Sequence, residues 1–248
     1  MSHPAVEVRG LTHAYPDGTP ALRGVDLRIL PGESVAVVGA NGAGKSTLLL
    51  HLNGLLLPGT GDVHIGGLAV TRATLPQVRR AVGFVFQDAD DQLFMPTVQD
   101  DVAFGPSNLG LSAQEVQTRV RAALESVGAA HLAARAPYRL SGGEKRVVAI
   151  AGVLAMAPSI LVLDEPSSGL DPAARRRLIG LLRSFTQTRV IASHDLDLVL
   201  DVCRRVVVLH DGKVQADGSP DELFTDLELL RLCHLEPPLS GQRCGRIG

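Results

Sequence analysis

Tryptophan is absent from this 248-residue sequence, and aromatic residues make up only 3% of it. So few rings cannot form a platform on which successive nucleic-acid bases stack. Basic residues are not in excess either, because 24 Lys and Arg are offset by 26 Asp and Glu, for a formal net charge of −2. Since nucleic-acid binding needs a basic surface, we expect no nucleic acid as a partner.

Cysteine is scarce and long apolar runs are missing. The three cysteines are Cys203, Cys233 and Cys244. They form no CxxC motif and match no standard metal site, and their odd number suits a reducing cytosol. The longest apolar tract, residues 147–163, is interrupted by Gly152 and Pro158, so it predicts a buried helix followed by a buried strand. The N-terminal residues lack the features of a signal peptide, and none is expected.

The sequence does contain enough apolar material for a sizeable core. Hydrophobic residues make up 45% and charged residues 20%, which is ordinary globular composition. The length predicts one large domain or two small ones.

A glycine-rich stretch at residues 39–47 fits the phosphate-loop pattern G-x-x-x-x-G-K-[ST]. The apolar run Ser34–Val38 before it predicts a buried parallel strand, and the leucines after it predict a helix that Asn53 and Gly54 end. In this context backbone N–H groups and the helix N-terminus bind a polyphosphate. An unoccupied glycine turn is the alternative, and the strand and helix on either side disfavour it.

We therefore predict that this loop binds a nucleoside triphosphate. Lys45 should reach the β- and γ-phosphates, and the Ser46 hydroxyl should hold Mg²⁺. The predicted nucleotide-binding residues of the loop are Gly39, Asn41, Gly42, Gly44, Lys45, Ser46 and Thr47.

An acidic pair, Asp164 and Glu165, follows the apolar strand predicted at residues 160–163. A strand closing on two acids fits the Mg²⁺ aspartate of a phosphate-loop enzyme. Glu165 is then placed to orient or deprotonate an attacking water. Two surface acids after a strand are the alternative.

Gln87 and His194 end two further predicted strands, residues 82–86 and 189–192. Ligand chemistry in open α/β sheets collects at such strand ends. Gln87 could ligate Mg²⁺ or position water, and His194 could contact the γ-phosphate. A loop glutamine and a structural histidine are the alternatives.

A second anion site is indicated at residues 140–144, Leu-Ser-Gly-Gly-Glu, which open a long apolar helix. Ser141, Gly142 and Gly143 lie where N–H groups of a helix N-terminus face an anion. A flexible helix start is the alternative. Because residues 39–47 already bind one polyphosphate, a second site needs a separate explanation.

Antiparallel strands are predicted before the phosphate loop and helices after residue 96. Residues 6–8 and 25–29 alternate apolar with polar residues, and Tyr15 lies near the turn between them, as a half-buried ring or as one stacked on a nucleotide base. Between residues 96 and 140, Ser112 and Glu115 form a capping box before a helix.

Taken together, these motifs resemble the ATPase cassette of ABC transporters. The phosphate loop, Gln87, residues 140–144, 160–165 and 168–171, and His194 occur in the order and spacing of that family. The resemblance covers residues 6–230, and the ordered set is very specific although each motif alone is modest.

The resemblance implies an α/β fold with a RecA-like P-loop NTPase core. An N-terminal antiparallel β subdomain and an α-helical subdomain, about residues 96–157, would complete an ATPase domain at residues 1–235, with a loose tail at 236–248. In this family the signature loop of one subunit closes on the ATP held by the phosphate loop of another. Residues 140–144 would therefore serve a partner's nucleotide, and two ATPs would lie in a head-to-tail dimer.

Roles carried over from the family fall on five residues. Tyr15 resembles the adenine-stacking aromatic, and Gln87 the glutamine that senses Mg²⁺ and the transport subunit. Asp164 resembles the Mg²⁺-linked aspartate, Glu165 the general base and His194 the switch histidine.

The sequence departs from the family pattern at two places. Glu144 stands where many members have Gln, and Ser167 with Ser168 leads the following loop. Neither departure removes a group that the chemistry needs.

A narrower resemblance points to energy-coupling-factor importers. Residues 88–94 and 97–106 look like the ATPases of these importers, and residues 229–240 are similar to the end of their cobalt/nickel branch. This implies uptake of cobalt or nickel, with a vitamin as the alternative. The ATPase would dock through the surface from Gln87 to Phe94 on a membrane-embedded coupling subunit, at the cytoplasmic face of the membrane. It would act only indirectly on a substrate-binding membrane subunit.

Two other functions compete with the importer. A soluble ABC ATPase acting on DNA or ribosomes is disfavoured by the short helical insertion and the single cassette. A small-molecule kinase is disfavoured because nothing supplies an acceptor pocket and residues 140–144 would be unexplained. The sequence leaves open whether the dimer is of identical or of related chains.

Overall fold

A computed structural model describes residues 3–242 of the chain. Its strands are β1 (Val6–Ala14), β2 (Pro20–Ile29), β3 (Ser34–Val38), β4 (Thr60–Ile65), β5 (Leu68–Ala69), β6 (Val82–Val85), β7 (Ile160–Asp164), β8 (Thr188–Ala192), β9 (Arg205–His210) and β10 (Lys213–Gly218). Its helices are α1 (Lys45–Leu52), α2 (Leu75–Ala81), α3 (Val98–Asn108), α4 (Ala113–Ser126), α5 (Gly142–Ala155), α6 (Pro172–Ser184), α7 (Leu196–Val202), α8 (Pro220–Leu223), α9 (Leu227–Leu232) and α10 (Leu239–Gln242).

The described residues form two compact units. The first contains residues 3–79 and 186–242, and the second contains residues 80–185. The second unit includes all of the predicted helical insertion, residues 96–157, together with β6, β7 and α6.

An antiparallel sheet in the first unit has the strand order β2-β1-β4-β5. Val6 of β1 pairs with Ile29 of β2 on one side and with Ile65 of β4 on the other. The apolar members of the alternating pattern, among them Val8 and Leu27, are buried. The predicted antiparallel pairing of β1 and β2 is thus confirmed, and β4 joins the same sheet.

Parallel strands carry the phosphate loop of the first unit. β3 lies between β8 and β9, and Val37 pairs with Ala192 on one side and Val207 on the other. Every residue of β3 is buried, as the apolar run predicted. β9 continues into β10 as an antiparallel hairpin, whose turn residues Asp211 and Gly212 have φ of 47° and 74°. An Asp-Gly pair is the usual sequence for such a turn, because both positions need positive φ.

Three helices dominate the second unit. α3, α4 and α5 pack around a shared apolar core that includes Val102, Leu124 and Val148. The predicted capping box is present, since the Ser112 hydroxyl and the Glu115 carboxylate each accept a backbone N–H of the other residue. β6 and β7 pair in parallel in this unit, so both strands end at the same edge.

The apolar tract at residues 147–163 forms most of α5 and the start of β7, as predicted. Among residues 3–242 no helix is both long enough and apolar enough to cross a bilayer.

The described part of the C-terminal segment is attached to α7. Backbone N–H groups of Leu239 and Ser240 donate to the Asp197 carboxylate, each over 3.0 Å. Cys203 and Cys233 are buried free thiols. Residues 243–248, with Cys244 and the end of the predicted loose tail, lie outside the described residues.

We predict that Gly83→Ala destabilises the protein, because β6 has no room for a side chain there. A Cβ on Gly83 would collide with Val153 and lie 2.8 Å from Pro158. Overpacking of this kind costs about 1–3 kcal/mol, which urea unfolding should show as a lower free energy of unfolding. The matched control is Gly152→Ala, whose Cβ would meet only a backbone oxygen at 4.0 Å. It should keep or raise stability, since Ala favours a helix by about 1 kcal/mol. Equal stability of the two variants would contradict the packing argument.

Candidate functional site

The phosphate loop leads from the buried strand β3 into α1. Gly42 and Gly44 adopt φ of 81° and 101°, values that L-residues other than glycine rarely take. Gly44 is the N-cap of α1 and has no side chain to cover the first turn. Ser46 is exposed in that first turn. The first N–H groups of α1 therefore lie at a helix N-terminus that suits an anion.

Lys45 lies along the inner side of this loop and is only 7% exposed. Its ammonium donates to the carbonyl oxygens of Gly39, over 2.8 Å, and Ala40, over 3.3 Å. The loop thus carries a positive charge beside its own backbone, where phosphate oxygens would be neutralised.

The Tyr15 side chain contacts α1, the helix that follows the phosphate loop. Its hydroxyl lies 2.9 Å from the Thr47 hydroxyl, and the residue is 39% exposed. His13 contacts the Tyr15 ring edge-on, with 5.1 Å between centroids. The ring is thereby held next to α1 while the residue stays partly exposed, which fits the stacking role that the resemblance implies.

His194 follows β8, and its side chain is exposed. Because β8 runs parallel to β3, His194 and the phosphate loop leave the sheet at the same edge. Ser193 N donates to Val37 O over 3.2 Å, and Asp195 caps α7 through Leu198 N. These bonds hold both ends of the segment that carries the histidine.

In the second unit, Gln87 is exposed just beyond β6, and Arg146 of α5 holds the backbone there. The Arg146 guanidinium donates to Phe86 O and Gln87 O, each over 2.6 Å, and the residue is 4% exposed. Burial lowers the pKa of Arg146, while Asp88 and Asp164 act in the opposite direction. A buried guanidinium on two carbonyls fixes where Gln87 leaves the strand.

The acidic pair ends β7 in the same unit. Asp164 and Glu165 are each 6% exposed, so neither is the surface acid of the alternative interpretation. Glu165 has a φ of 42°. Non-glycine residues in this region cost about 1–3 kcal/mol and cluster at active sites. Since β6 and β7 are parallel, Gln87 and the acidic pair lie at one edge of these strands.

The predicted second anion site is the start of α5. Ser141 is the N-cap, and the Glu144 carboxylate accepts its N–H and its hydroxyl, each over 2.8 Å. These bonds lower the pKa of Glu144. Ser141 and Gly142 are exposed, whereas a Cβ on Gly143 would lie 2.9 Å from Ala174 of α6. The start of α5 is thus a helix N-terminus capped by side chains.

A cleft of about 450 Å³ joins these parts of the second unit. It is lined by residues 87–91, by Gly142, Lys145 and Arg146 of α5, and by residues 168–170. Lys145 crosses it to Asp90, with 2.6 Å between nitrogen and oxygen. Asp171 beyond it caps α6 through the N–H groups of Ala173 and Ala174, and Pro172 is the first residue of that helix, a common pairing at helix starts.

The chain belongs to the ABC transporter family, whose model matches residues 22–168. It therefore has the P-loop NTPase fold of that family, as predicted, and is an ATPase whose hydrolysis is coupled to transport. The family match begins in β2, includes the phosphate loop and the start of α5, and ends just after Glu165.

Relatives and solved structures agree with this assignment. A protein of Geobacter sulfurreducens described as an ABC transporter ATP-binding protein is 66% identical over 98% of both chains. The energy-coupling factor transporter ATP-binding protein EcfA of Methanothermobacter thermautotrophicus is 50% identical over 98% of this chain and 79% of that one. The structure of cbiO1 from Clostridium perfringens, part of the ABC transporter complex cbiONQ, has a TM-score of 0.83 and 39% identity, with 98% of this chain and 99% of that chain covered.

Two contacts of the site were missed by sequence reasoning. The first is the bond from Tyr15 to Thr47, which no local pattern signals because the two residues lie 32 positions apart. The second is the anchoring role of Arg146. Arg146 lies three and seven residues before the buried Ala149 and Val153, which puts it on the apolar face of α5. This spacing could have predicted from the sequence that Arg146 is buried.

We predict that Arg146→Lys destabilises the protein although it keeps the charge. A lysine cannot reproduce the planar fork on two carbonyls and loses at least one of these charged hydrogen bonds. The loss should be about 1.5–3 kcal/mol in the free energy of unfolding. Lys145→Ala is the control, because its partner Asp90 has a side chain 62% exposed and such pairs contribute about 0–1 kcal/mol. Chemical unfolding of both variants decides the question, and a smaller loss for Arg146→Lys would refute the anchoring role.

Proposed function

We propose that this chain is the ATP-hydrolysing subunit of an energy-coupling-factor-type importer that takes up a transition-metal ion, cobalt or nickel, through separate membrane subunits. The observation that carries the proposal is the match to cbiO1, a component of the cbiONQ complex, over nearly the full length of both chains. The EcfA relatives of Methanothermobacter thermautotrophicus and Methanocaldococcus jannaschii, at 50% and 47% identity, support the importer type. A vitamin importer with the same ATPase chemistry is the second candidate, since EcfA names no metal.

The nucleotide chemistry is proposed to divide between the two units. In the first, residues 39–47 bind the triphosphate, Tyr15 stacks on adenine and His194 contacts the γ-phosphate. In the second, Glu165 accepts a proton from the attacking water, and Gln87 senses the state of the site. The buried, positive-φ position of Glu165 supports a role that needs one fixed orientation.

Magnesium fits the side chains assigned to it. Ser46, Gln87 and Asp164 offer hydroxyl, amide and carboxylate oxygens, the hard ligands that Mg²⁺ prefers. Asp164 is buried at the end of β7, where a carboxylate is stable only with positive charge or donors beside it. The ion would neutralise charge that develops on the phosphate oxygens.

A second ATPase subunit, identical or related, is proposed to complete the site. Gly142 is exposed in the first turn of α5, where a helix N-terminus suits a nucleotide bound on another molecule, whereas the Ser141 N–H is bonded to Glu144. The ATP-binding cassette MJ0796, solved as a dimer bound to ADP and Pi, has a TM-score of 0.78 and 30% identity, covering 87% of this chain and 98% of that chain. This likeness supports pairing of two ATPase subunits.

The surface from Gln87 to Phe94 is proposed to dock on the membrane-embedded coupling subunit, with the substrate-binding subunit reached indirectly. Phe94 is 62% exposed and packs edge-on against Phe104, with 5.0 Å between ring centroids. The buried Asp101 carboxylate accepts the N–H groups of Phe94 and Met95, each over 3.0 Å. An exposed aromatic pair on a fixed backbone is typical of a docking site. The chain would then lie on the cytoplasmic face of the membrane, as a peripheral subunit.

We predict that Glu165→Gln lowers the ATPase rate by about 10²–10⁴-fold, because the amide cannot accept the proton from water. Binding of ATP should be retained, and closed dimers should accumulate on a sizing column. Glu125→Gln, a change at an exposed position of α4, is the matched control and should keep the wild-type rate. Unchanged turnover of Glu165→Gln would exclude Glu165 as the base.

Lys45→Ala should instead weaken ATP binding, and unaltered affinity would contradict the phosphate assignment.

The transported solute is tested with the membrane subunits that co-purify with the chain. Vesicles containing the complex should take up radiolabelled cobalt or nickel when MgATP is supplied, and complexes with Glu165→Gln should not. Uptake of a vitamin without metal uptake would establish the second candidate. Co-purification with polynucleotide in place of membrane subunits would overturn both.

A further inference from the structure

At two glycines of the phosphate loop, backbone atoms from outside the loop lie too close to allow a side chain. A Cβ on Gly39 would collide with the carbonyl oxygen of Leu209 at the end of β9. A Cβ on Gly44 would collide with the carbonyl oxygen of Ala21 in β2. By contrast, a Cβ on Gly42 would meet nothing within 4 Å. Because Gly39 and Gly44 have no side chain, protein backbone as well as phosphate can approach the loop closely.

A third glycine, Gly212, completes this packing from outside the motif. It lies in the turn between β9 and β10, and its Cβ would lie 2.7 Å from Ala21 O, the same oxygen that lies against Gly44. Gly212 N donates to Ala43 O in the loop over 3.2 Å, and Gly212 O accepts from Arg23 N over 2.8 Å. One residue therefore bonds to the phosphate loop with its N–H and to β2 with its carbonyl.

The turn between β9 and β10 is held in position by its own conformation and by the pairing of the adjacent strands. Asp211 and Gly212 both have positive φ, and the antiparallel pairing of Lys213 with His210 closes the hairpin directly behind them. β9 itself pairs with β3, the strand that delivers the loop. Any displacement of the turn would therefore move Ala43 O and the N–H groups around it, which are the proposed phosphate ligands.

We propose that Gly212 is a positioning residue for nucleotide binding, and that the β9–β10 turn holds the phosphate loop in its binding conformation. The inference rests on the proposed function of residues 39–47 as the triphosphate site. It assigns a nucleotide-binding role to a residue 165 positions after the end of that motif, without contact to the nucleotide itself.

The test compares Gly212→Asn with Gly66→Asn. Asparagine tolerates left-handed backbone better than other residues, so the substitution isolates steric collision from strain. Gly66 lies in another hairpin turn, with a φ of 57°, and a Cβ there would meet nothing within 4 Å. The measurement is the dissociation constant for a fluorescent ATP analogue with Mg²⁺, on full-length protein at a temperature where both variants are folded.

Gly212→Asn should raise this dissociation constant about tenfold or more, because its Cβ would push β2 and the turn apart. Gly66→Asn should stay within about twofold of wild type. Equal affinities for the two variants would overturn the inference and leave the proposed function standing. Absence of binding by the wild-type protein would overturn the proposed function, and the inference with it.

Hydrogen exchange on the wild-type protein gives a second test that needs no variant. If the turn and the loop are coupled, MgATP should slow exchange of the Gly212 N–H, which donates to Ala43 O. The Gly66 N–H, which donates to Ala5 O, should exchange at an unchanged rate. Unchanged exchange at Gly212 under saturating MgATP would overturn the proposal even if Gly212→Asn fails to fold.

Discussion

The close approach of backbone to backbone around the phosphate loop is the constraint on which the first unit depends. Carbonyl oxygens of Ala21 and Leu209 occupy the space that side chains of Gly44 and Gly39 would need. A loop with side chains there could not lie between β2 and β9, and its N–H groups would not converge. Gly39 and Gly44 are therefore required by the packing of the unit itself, whereas Gly42 meets no such contact, and the proposed binding of phosphate would use a geometry that folding has already imposed.

In the second unit, a buried charged side chain fixes the backbone of the candidate site. Arg146 is buried with its guanidinium on the carbonyls of Phe86 and Gln87. A buried cation is unfavourable unless it is well hydrogen bonded, so these bonds are strong constraints on where β6 ends. Because Arg146 belongs to the same helix as Ser141 and Gly142, the start of α5 and the position of Gln87 are mechanically linked within this unit.

Local sequence patterns predicted most of the helices and strands, but they could not predict contacts between residues that are far apart in the sequence. The capping box at Ser112 and the buried strand β3 each follow from interactions between near neighbours in sequence. The sequence also predicted that Gln87, Glu165 and His194 each follow a strand, the position where ligand chemistry collects in open α/β sheets. The support that Gly212 gives to Ala43 depends on chain crossings, and a single sequence does not reveal their register.

Glu144 places a negative charge at the start of α5, which is the proposed second anion site. Its carboxylate closes the capping box on Ser141, and negative charge in a first helical turn favours the helix. The same hydrogen bonds lower its pKa, so the charge persists at neutral pH where a phosphate would be repelled. Arg135, 3.9 Å away, offsets part of that charge, but the pair is exposed and therefore weak. A glutamine could keep both capping bonds without the negative charge, so under the proposed role of α5 as the anion site for a partner's nucleotide the glutamate would favour the helix and weaken that binding.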